Sequence, residues 1–311
     1  MTKIWITGGS GMVGRNLRAH PIAKSHQILA PERSELDLMY GEAVSAWLAD
    51  AMPDIIIHNA GKVGGISANM SGLIEFLDAN TMIGRNVLMA ARSIGIPRVI
   101  NLASSCFYPV NGRNPLSEDQ ILTGALEQTN EGYALAKVFC QRLCAYISRD
   151  GSGLAYKTLI PCNLFGPWDD FSPHGAHMLP AVIAKIHAAR QQGSPEVEIW
   201  GDGTARREFM YAQDAADGIW AAVERFDDLP DVMNLGMGHD LSVREYYHAV
   251  ANVIGWNGKF VLNLDRPVGV KRKLMDTSRQ AAFGWQPKCT LEEGIAKTYA
   301  YFLNRKRSAA R

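Results

Sequence analysis

Apolar residues in the first third of the chain come in short unbroken runs: "KIWITG" at 3–8, "HQILA" at 26–30, "DIIIHNAG" at 54–61 and "RVINLASS" at 98–105. Runs of this length, closed by small or polar residues, read as strands buried on both faces. Between them apolar positions recur at helical spacing, most plainly from Leu73 to Gly95. This alternation predicts parallel strands joined by crossover helices, a Rossmann-type doubly wound α/β sheet. One more strand is expected at 156–161, after a helix that includes "NEGYALAK" at 130–137.

Past Pro161 the regular alternation stops. "GPWDDFSPHG" reads as loop, and a helix follows near Leu179 to Gln192. Short apolar pieces at "VEIWG", "VMNLG" and "KFVLNL" are interspersed with helices at 242–255 and after Thr290. The pattern predicts a dinucleotide-binding domain over residues 1–162, joined by later segments near 208–240. Residues 163–311 are expected to form mainly a smaller, interleaved substrate lobe.

A chain of 311 residues is long enough for one large α/β unit or two domains. Its 32 Lys and Arg against 31 Asp and Glu leave a formal charge of +1 without a charged block. Nucleic acid and anionic membranes are therefore not expected partners. No leader-like segment opens the sequence and no run of about 18 apolar residues interrupts it, so a cytoplasmic protein is expected. The five cysteines, at 106, 140, 144, 162 and 289, form neither a disulfide framework nor a CxxC pattern. Cys140 and Cys144 read as core residues, and no metal is expected.

The chemistry begins at "TGGSGMVG", directly after the first strand, where Gly8, Gly11 and Gly14 are spaced G-x-x-G-x-x-G. Glycines at a strand-to-helix turn let the backbone approach a pyrophosphate, which then lies at the positive end of the helix. Ser10, Met12 and Val13 complete that cofactor loop. An acid about twenty residues on would favour NAD, and a basic residue the extra phosphate of NADP. The second strand is followed by Glu32 and then Arg33. Arg33 on the 2′-phosphate, with Ser10 as second contact, favours NADP(H), while Glu32 leaves NAD open. Asp37 and Leu38 are expected near the adenine, and Asn59, Ala60 and Gly61 near the middle of the cofactor.

The fourth strand delivers Ser104, Ser105 and Cys106 to the carboxyl edge of the sheet, where such folds bind ligands. Tyr133 and Lys137 are four apart on a helix and share a face. A serine hydroxyl, a phenol and an ammonium beside a nicotinamide form a proton-delivery site for carbonyl reduction.

Together, "TGGSGMVG", "SSC" and "YALAK" resemble the extended short-chain dehydrogenase/reductase family. The segments "AGKVGGI", "SSCFYP", "NLFGPWDDF", "HMLPA" and "WGDGTARREF" are similar to the branch that epimerises and reduces GDP-4-keto-6-deoxy-D-mannose using NADPH. The resemblance covers nearly the whole chain. It implies Ser104, Cys106, Tyr133, Lys137 and His177 as catalytic residues, with Cys106 the base and His177 the acid of epimerisation. Tyr133, Lys137, Pro161, Asn163, Leu164 and His177 would also meet the cofactor. Ser105, Cys106, Asn163, Lys185, Trp200, Arg207 and Lys273 would meet the GDP-sugar, with Arg207 on the diphosphate and Lys62 within reach of the pocket. His174 competes with His177 on position, and the "HMLPA" match favours His177.

Lys185 stands where a close relative has arginine, and Ser10 where relatives can place arginine. Such changes leave open a reductase with different or no epimerase activity, as in colitose or deoxyheptose pathways. A 4,6-dehydratase would need an acid where this chain has Ser105 and Cys106. A non-catalytic dinucleotide sensor would need only the glycine loop. The resemblance further implies a homodimer joined by helices of the cofactor domain.

Overall fold

The computed structural model describes residues 1–173, 175–266 and 269–309. His174 therefore lies outside the described residues. The buried run Lys3–Thr7 is β1, and the glycine loop leads from it into α1 (Met12–Ala19). Then follow β2 (Gln27–Leu29), α2 (Gly41–Ala51), β3 (Ile55–His58), α3 (Ile66–Ser71), α4 (Leu73–Ile94) and β4 (Arg98–Leu102). The next elements are α5 (Glu131–Ile147), β5 (Ala155–Pro161), β6 (Asn163–Phe165), α6 (Met178–Gln192), β7 (Glu196–Trp200), β8 (Arg206–Arg207) and β9 (Phe209–Tyr211). The chain ends with α7 (Ala212–Glu224), β10 (Val232–Leu235), β11 (Leu241–Ser242), α8 (Val243–Ile254), β12 (Lys259–Asn263), α9 (Ser278–Phe283) and α10 (Leu291–Ala309).

Six parallel strands form the central sheet in the order β10-β5-β4-β3-β1-β2. Alternate residues of each strand enter different cores, as the two-residue period of a strand requires. Ile4, Ile6, Ile57, Ile100 and Leu159 face one core, while Trp5, Ile56, Val99 and Tyr156 face the other. Burial on both faces explains why these strands read as continuous apolar runs. The strand order reverses at β1, which has β2 on one side and β3 on the other. Crevices at the carboxyl ends of such strands are where open α/β sheets bind ligands.

A third core gathers Phe165, Leu179, Ile183, Ile199, Tyr246, Val250 and Ile295 beneath the later elements. There α8 begins at "SVRE" through a capping box: the Ser242 hydroxyl accepts from the Glu245 amide, and the Glu245 carboxylate accepts from the Ser242 amide. The "VMNL" segment joins the main sheet as β10, whereas "KFVLN" pairs with β7 in a separate two-stranded sheet. "NLF", expected as loop, is a three-residue strand paired with β9. Three residues carry too short a pattern to announce themselves. Cys140 and Cys144 are buried as expected. Among the described residues no helix is long and apolar enough to cross a membrane.

Candidate active site

The glycine loop is built to leave room above it. Gly8 has φ +66°, and a Cβ on it would lie 2.9 Å from the Ala60 Cα. A Cβ on Gly14 would lie 2.3 Å from the Gly8 carbonyl oxygen. Helix α1 can therefore start tight against the loop only with glycine there, which leaves a cradle for a phosphate at its N-terminus. Ser10 and Gly11 are exposed, and Met12 and Val13 partly so. Beneath the loop, the buried Thr7 hydroxyl accepts from the amides of Asn59 and Ala60, each at 3.0 Å, and lies 3.0 Å from His58 Nδ1. With two donors already on its oxygen, Thr7 donates to the ring, which puts the His58 proton on Nε2. Asn59 Nδ2 donates to the Gly8 carbonyl at 3.4 Å, so the ends of β1 and β3 are held as one surface. Arg33 is exposed and paired with Asp37 at 3.2 Å, and the Asp37 carboxylate also accepts from the Met39 amide. Leu38 is fixed from below, since Asn86 Nδ2 donates to its carbonyl.

Tyr133 is aimed by the way α5 enters. A Cβ on Gly132 would lie 2.4 Å from the Leu73 carbonyl oxygen, so glycine lets the start of α5 touch the start of α4. The Tyr133 ring packs edge-on against Phe76, with centroids 6.4 Å apart. Lys137 is buried, donates to the Leu102 carbonyl at 2.9 Å, and lies with its Nζ 5.7 Å from the centre of the Tyr133 ring. Its pKa is lowered by burial, opposed by Cys140 and Cys106. Burial and the nearby Lys137 charge bring His58 down to about 3, so this imidazole stays neutral beside the ammonium.

Ser104 ends the strand-to-turn passage after β4, and its hydroxyl accepts from the Cys106 amide at 3.4 Å. The same serine lies close enough to the Tyr133 phenol and the Cys106 thiol to lower both pKa values, against burial, which raises them. Lys273 exerts the strongest pull downward on Cys106, ahead of Ser104 and Lys137. Lys137 together with a positive nicotinamide would bring the Tyr133 phenol toward working pH. In the free protein burial prevails and the phenol stays protonated. Ser105, one residue from both, is 3% exposed and turned into the protein.

His177 is the residue before the first turn of α6, and its side chain is exposed without capping that helix. Neighbouring protein atoms displace solvent from the imidazole and lower its pKa, while Asp170 acts in the opposite sense. The "KVGG" loop reaches this segment, since the Gly65 amide donates to the Gly175 carbonyl at 3.3 Å. Asn80 braces the same loop: its Oδ1 accepts from the Lys62 amide at 2.8 Å and its Nδ2 donates to the Lys62 carbonyl. Lys62 Nζ lies 5.2 Å from the centre of the Phe76 ring, beside Tyr133.

The later elements supply cations. Arg207 and Lys273 sense each other and Glu127, and Lys273 also senses Cys106. Asn163 donates to the Glu208 carbonyl at 2.9 Å, and Pro161 and Leu164 flank it at the end of β5 and in β6. Trp200 lies between two cations, Lys185 Nζ and the Arg266 guanidinium, each 5.1 Å from a ring centre. Buried Glu208 accepts from the amides of Met237, Gly238 and Met275, which ties the residue beside Arg207 to the strand leaving Lys273. Among the described residues no group of three or more His, Cys, Asp and Glu is placed to hold a metal ion.

A protonated phenol and a thiol under the influence of two ammonium groups thus lie beside Ser104, and the glycine loop forms a phosphate cradle at the start of α1. Such a set can deliver a proton to a carbonyl oxygen and move protons on carbon. Residues 4–236 match the model of the NAD dependent epimerase/dehydratase family. The chain belongs to that family.

Within the NAD dependent epimerase/dehydratase family, the chain is 50% identical over 301 residues to a GDP-L-fucose synthase of Azorhizobium caulinodans, covering 97% of this chain and 96% of that one. It is 48% identical over 304 residues to a GDP-L-colitose synthase of Yersinia pseudotuberculosis, covering 98% and 99%. A GDP-mannoheptose C4 reductase from Campylobacter jejuni, solved with NADP bound, superposes with a TM-score of 0.88 at 29% identity, covering 97% and 98%. The supports of the site, Thr7 and His58 under the glycine loop, Asn80 under the "KVGG" loop and Glu208 beside Arg207, carry no signal in the sequence. An asparagine in a helix or a threonine in a strand carries no pattern until its partner, 51 residues away for Thr7 and His58, is known.

Proposed function

We propose that the protein carries out NADPH-dependent epimerisation and 4-keto reduction of a GDP-4-keto-6-deoxyhexose, converting GDP-4-keto-6-deoxy-D-mannose to GDP-L-fucose. The observation that carries this reading is the shared position of Ser104, close enough to both the Tyr133 phenol and the Cys106 thiol to lower the pKa of each. A reductase without epimerase activity needs the first partner only.

Bound over Gly8, Gly11 and Gly14, with Arg33 at its 2′-phosphate, NADPH supplies the hydride. Tyr133 gives its proton to the sugar's 4-oxygen, and Ser104 donates a hydrogen bond to that oxygen as negative charge develops there. Lys137, fixed by the Leu102 carbonyl, holds the cofactor ribose and offsets the phenolate left behind. Cys106 removes the proton from carbon beside the carbonyl, and His177 returns one to the other face. Arg207 grips the diphosphate with a forked pair of donors, Lys273 adds charge beside it, and Trp200 with Lys185 and Asn163 holds the rest of the nucleotide sugar. The decisive experiment is incubation with GDP-4-keto-6-deoxy-D-mannose and NADPH in deuterated water, with NMR of the product. NADPH oxidation and deuterium at both C3 and C5 are expected. Absence of oxidation would sink the reading, and deuterium at C5 alone would favour the colitose-type reaction suggested by the 48% identical relative.

The same reading makes the enzyme a cytoplasmic homodimer. Ile74 and Leu77 on α4, and Leu135, Phe139 and Tyr146 on α5, are exposed apolar residues at helical spacing on two packed helices. A second copy would cover this face with the same four-helix contact that α4 and α5 begin. Phe139→Glu places a charge at its middle and is expected to shift the protein to monomer in analytical ultracentrifugation. An unchanged sedimentation coefficient would place the interface elsewhere.

A further inference from the structure

Two cations proposed for the substrate site sit next to two arginines that point away from it. Adjacent residues of an extended segment face opposite sides. Arg206 and Arg272, which form a bridge between their segments, both turn to the buried carboxylate of Asp240. Arg206 Nε donates to Asp240 Oδ1 at 2.8 Å and its Nη2 to the Asp240 carbonyl at 2.6 Å. Arg272 Nε donates to Asp240 Oδ2 at 2.6 Å. The backbones are locked as well: the Arg206 amide donates to the Lys271 carbonyl at 2.8 Å, and the Lys273 amide to the Arg206 carbonyl at 3.3 Å. By the same alternation the neighbours Arg207 and Lys273 face the other way, within electrostatic reach of Glu127 and, for Lys273, of Cys106, and Arg207 Nη1 donates to the Arg206 carbonyl at 2.8 Å.

Asp240 itself lies outside the site. Its carboxylate, 3% exposed, holds both arginines, since Oδ1 accepts from Arg206 Nε and, at 3.5 Å, from Arg272 Nη2, while Oδ2 accepts from Arg272 Nε. We propose that Asp240 is a positioning residue, which aims Arg207 and Lys273 at the diphosphate of the nucleotide sugar by anchoring the arginine beside each of them. This rests on the functional reading above, since it assumes that Arg207 and Lys273 meet that diphosphate.

Asp240→Asn tests it. The amide has nearly the shape of the carboxylate, but it is uncharged and its nitrogen cannot accept from an arginine, so the hold on the two arginines is weakened. Calorimetric titration with GDP and, separately, with NADPH is expected to show GDP binding weakened roughly 10-fold or more and NADPH binding changed by less than about twofold. KM for the GDP-sugar should rise in step while KM for NADPH stays. Equal losses for both ligands would mean general disruption and overturn the assignment, as would unchanged GDP binding. Arg272 is 45% exposed on its side chain, so Arg272→Leu provides a variant less apt to misfold. It should weaken GDP several-fold, again with NADPH spared, and an unaltered GDP affinity would likewise overturn the proposal. A wild-type protein that ignores GDP would sink the functional reading itself, whereas a wild type and both variants that bind GDP equally well would remove only the role of Asp240.

Discussion

Tyr133→Phe is expected to lower the rate of carbonyl reduction roughly 10²- to 10⁴-fold, the range that a positioned proton donor contributes. At about 1.4 kcal/mol per decade this is roughly 3–5 kcal/mol of transition-state stabilisation. The substitution is well suited to the question because it removes one oxygen and keeps the ring. The edge-on contact with Phe76, centroids 6.4 Å apart, does not involve the hydroxyl, so the entry of α5 against α4 survives. Burial raises the phenol's pKa, and in the reduction direction that is useful, since a donor must hold its proton until the 4-oxygen becomes basic. Lys137 remains on the Leu102 carbonyl, and NADPH affinity should change by less than about threefold. Stopped-flow measurement of NADPH oxidation with bound keto-sugar checks the first expectation and fluorescence titration the second. Turnover within about threefold of wild type would show that another group supplies the proton.

How much of this was legible in the sequence depends on the reach of each interaction. The strands at 3–7, 55–58 and 98–102 are apolar on both faces, so local composition suffices to find them. The glycine loop and the Tyr133–Lys137 pair are local as well, because their spacing is set by one turn and one helix. "NLF" at 163–165 is a strand only because "FMY" at 209–211 lies beside it. Likewise Asp240 reads as an ordinary loop acid until Arg272, 32 residues on, is seen to reach it. The expectation for the Tyr133 pKa shows a different gap. Spacing predicted that Lys137 would share a face with Tyr133, and its Nζ does lie beside that ring, but a linear pattern conveys nothing of desolvation, which sets the direction of the phenol's pKa in the free protein.

The supports in the site also divide the labour between its halves. Thr7 and His58 brace the ends of β1 and β3 and Asn80 the "KVGG" loop, while Glu208 and Asp240 brace the segments that carry Arg207 and Lys273. Cys106 lies where the two meet, held by Ser104 from the sheet and influenced by Lys273 from the later segments. Its proton chemistry should therefore respond to substitutions on either side, whereas hydride transfer should depend mainly on the first.

Cys106→Ser is expected to suppress solvent deuterium incorporation into the sugar by roughly 10²-fold or more, and to spare reduction of a keto-sugar supplied with its carbons already inverted. A thiol near 8.5 in water can act as a base once its environment brings it within reach of neutral pH, whereas an aliphatic hydroxyl cannot. Burial pushes the Cys106 thiol up, and Lys273, Ser104 and Lys137 pull it back in that order, so in the free protein it is mostly protonated at neutral pH. Exchange by the wild type should accordingly rise with pH as the thiolate fraction grows, and the serine variant should lack that rise. Serine is smaller than cysteine and leaves little strain at a site 7% exposed, so the fold and the Tyr133 geometry should persist. Proton NMR in deuterated water, without NADPH, isolates the exchange step, and NADPH oxidation with the pre-inverted sugar isolates reduction. Exchange that continues undiminished in the variant would remove Cys106 from the mechanism, and loss of both steps together would assign it to binding rather than to proton removal.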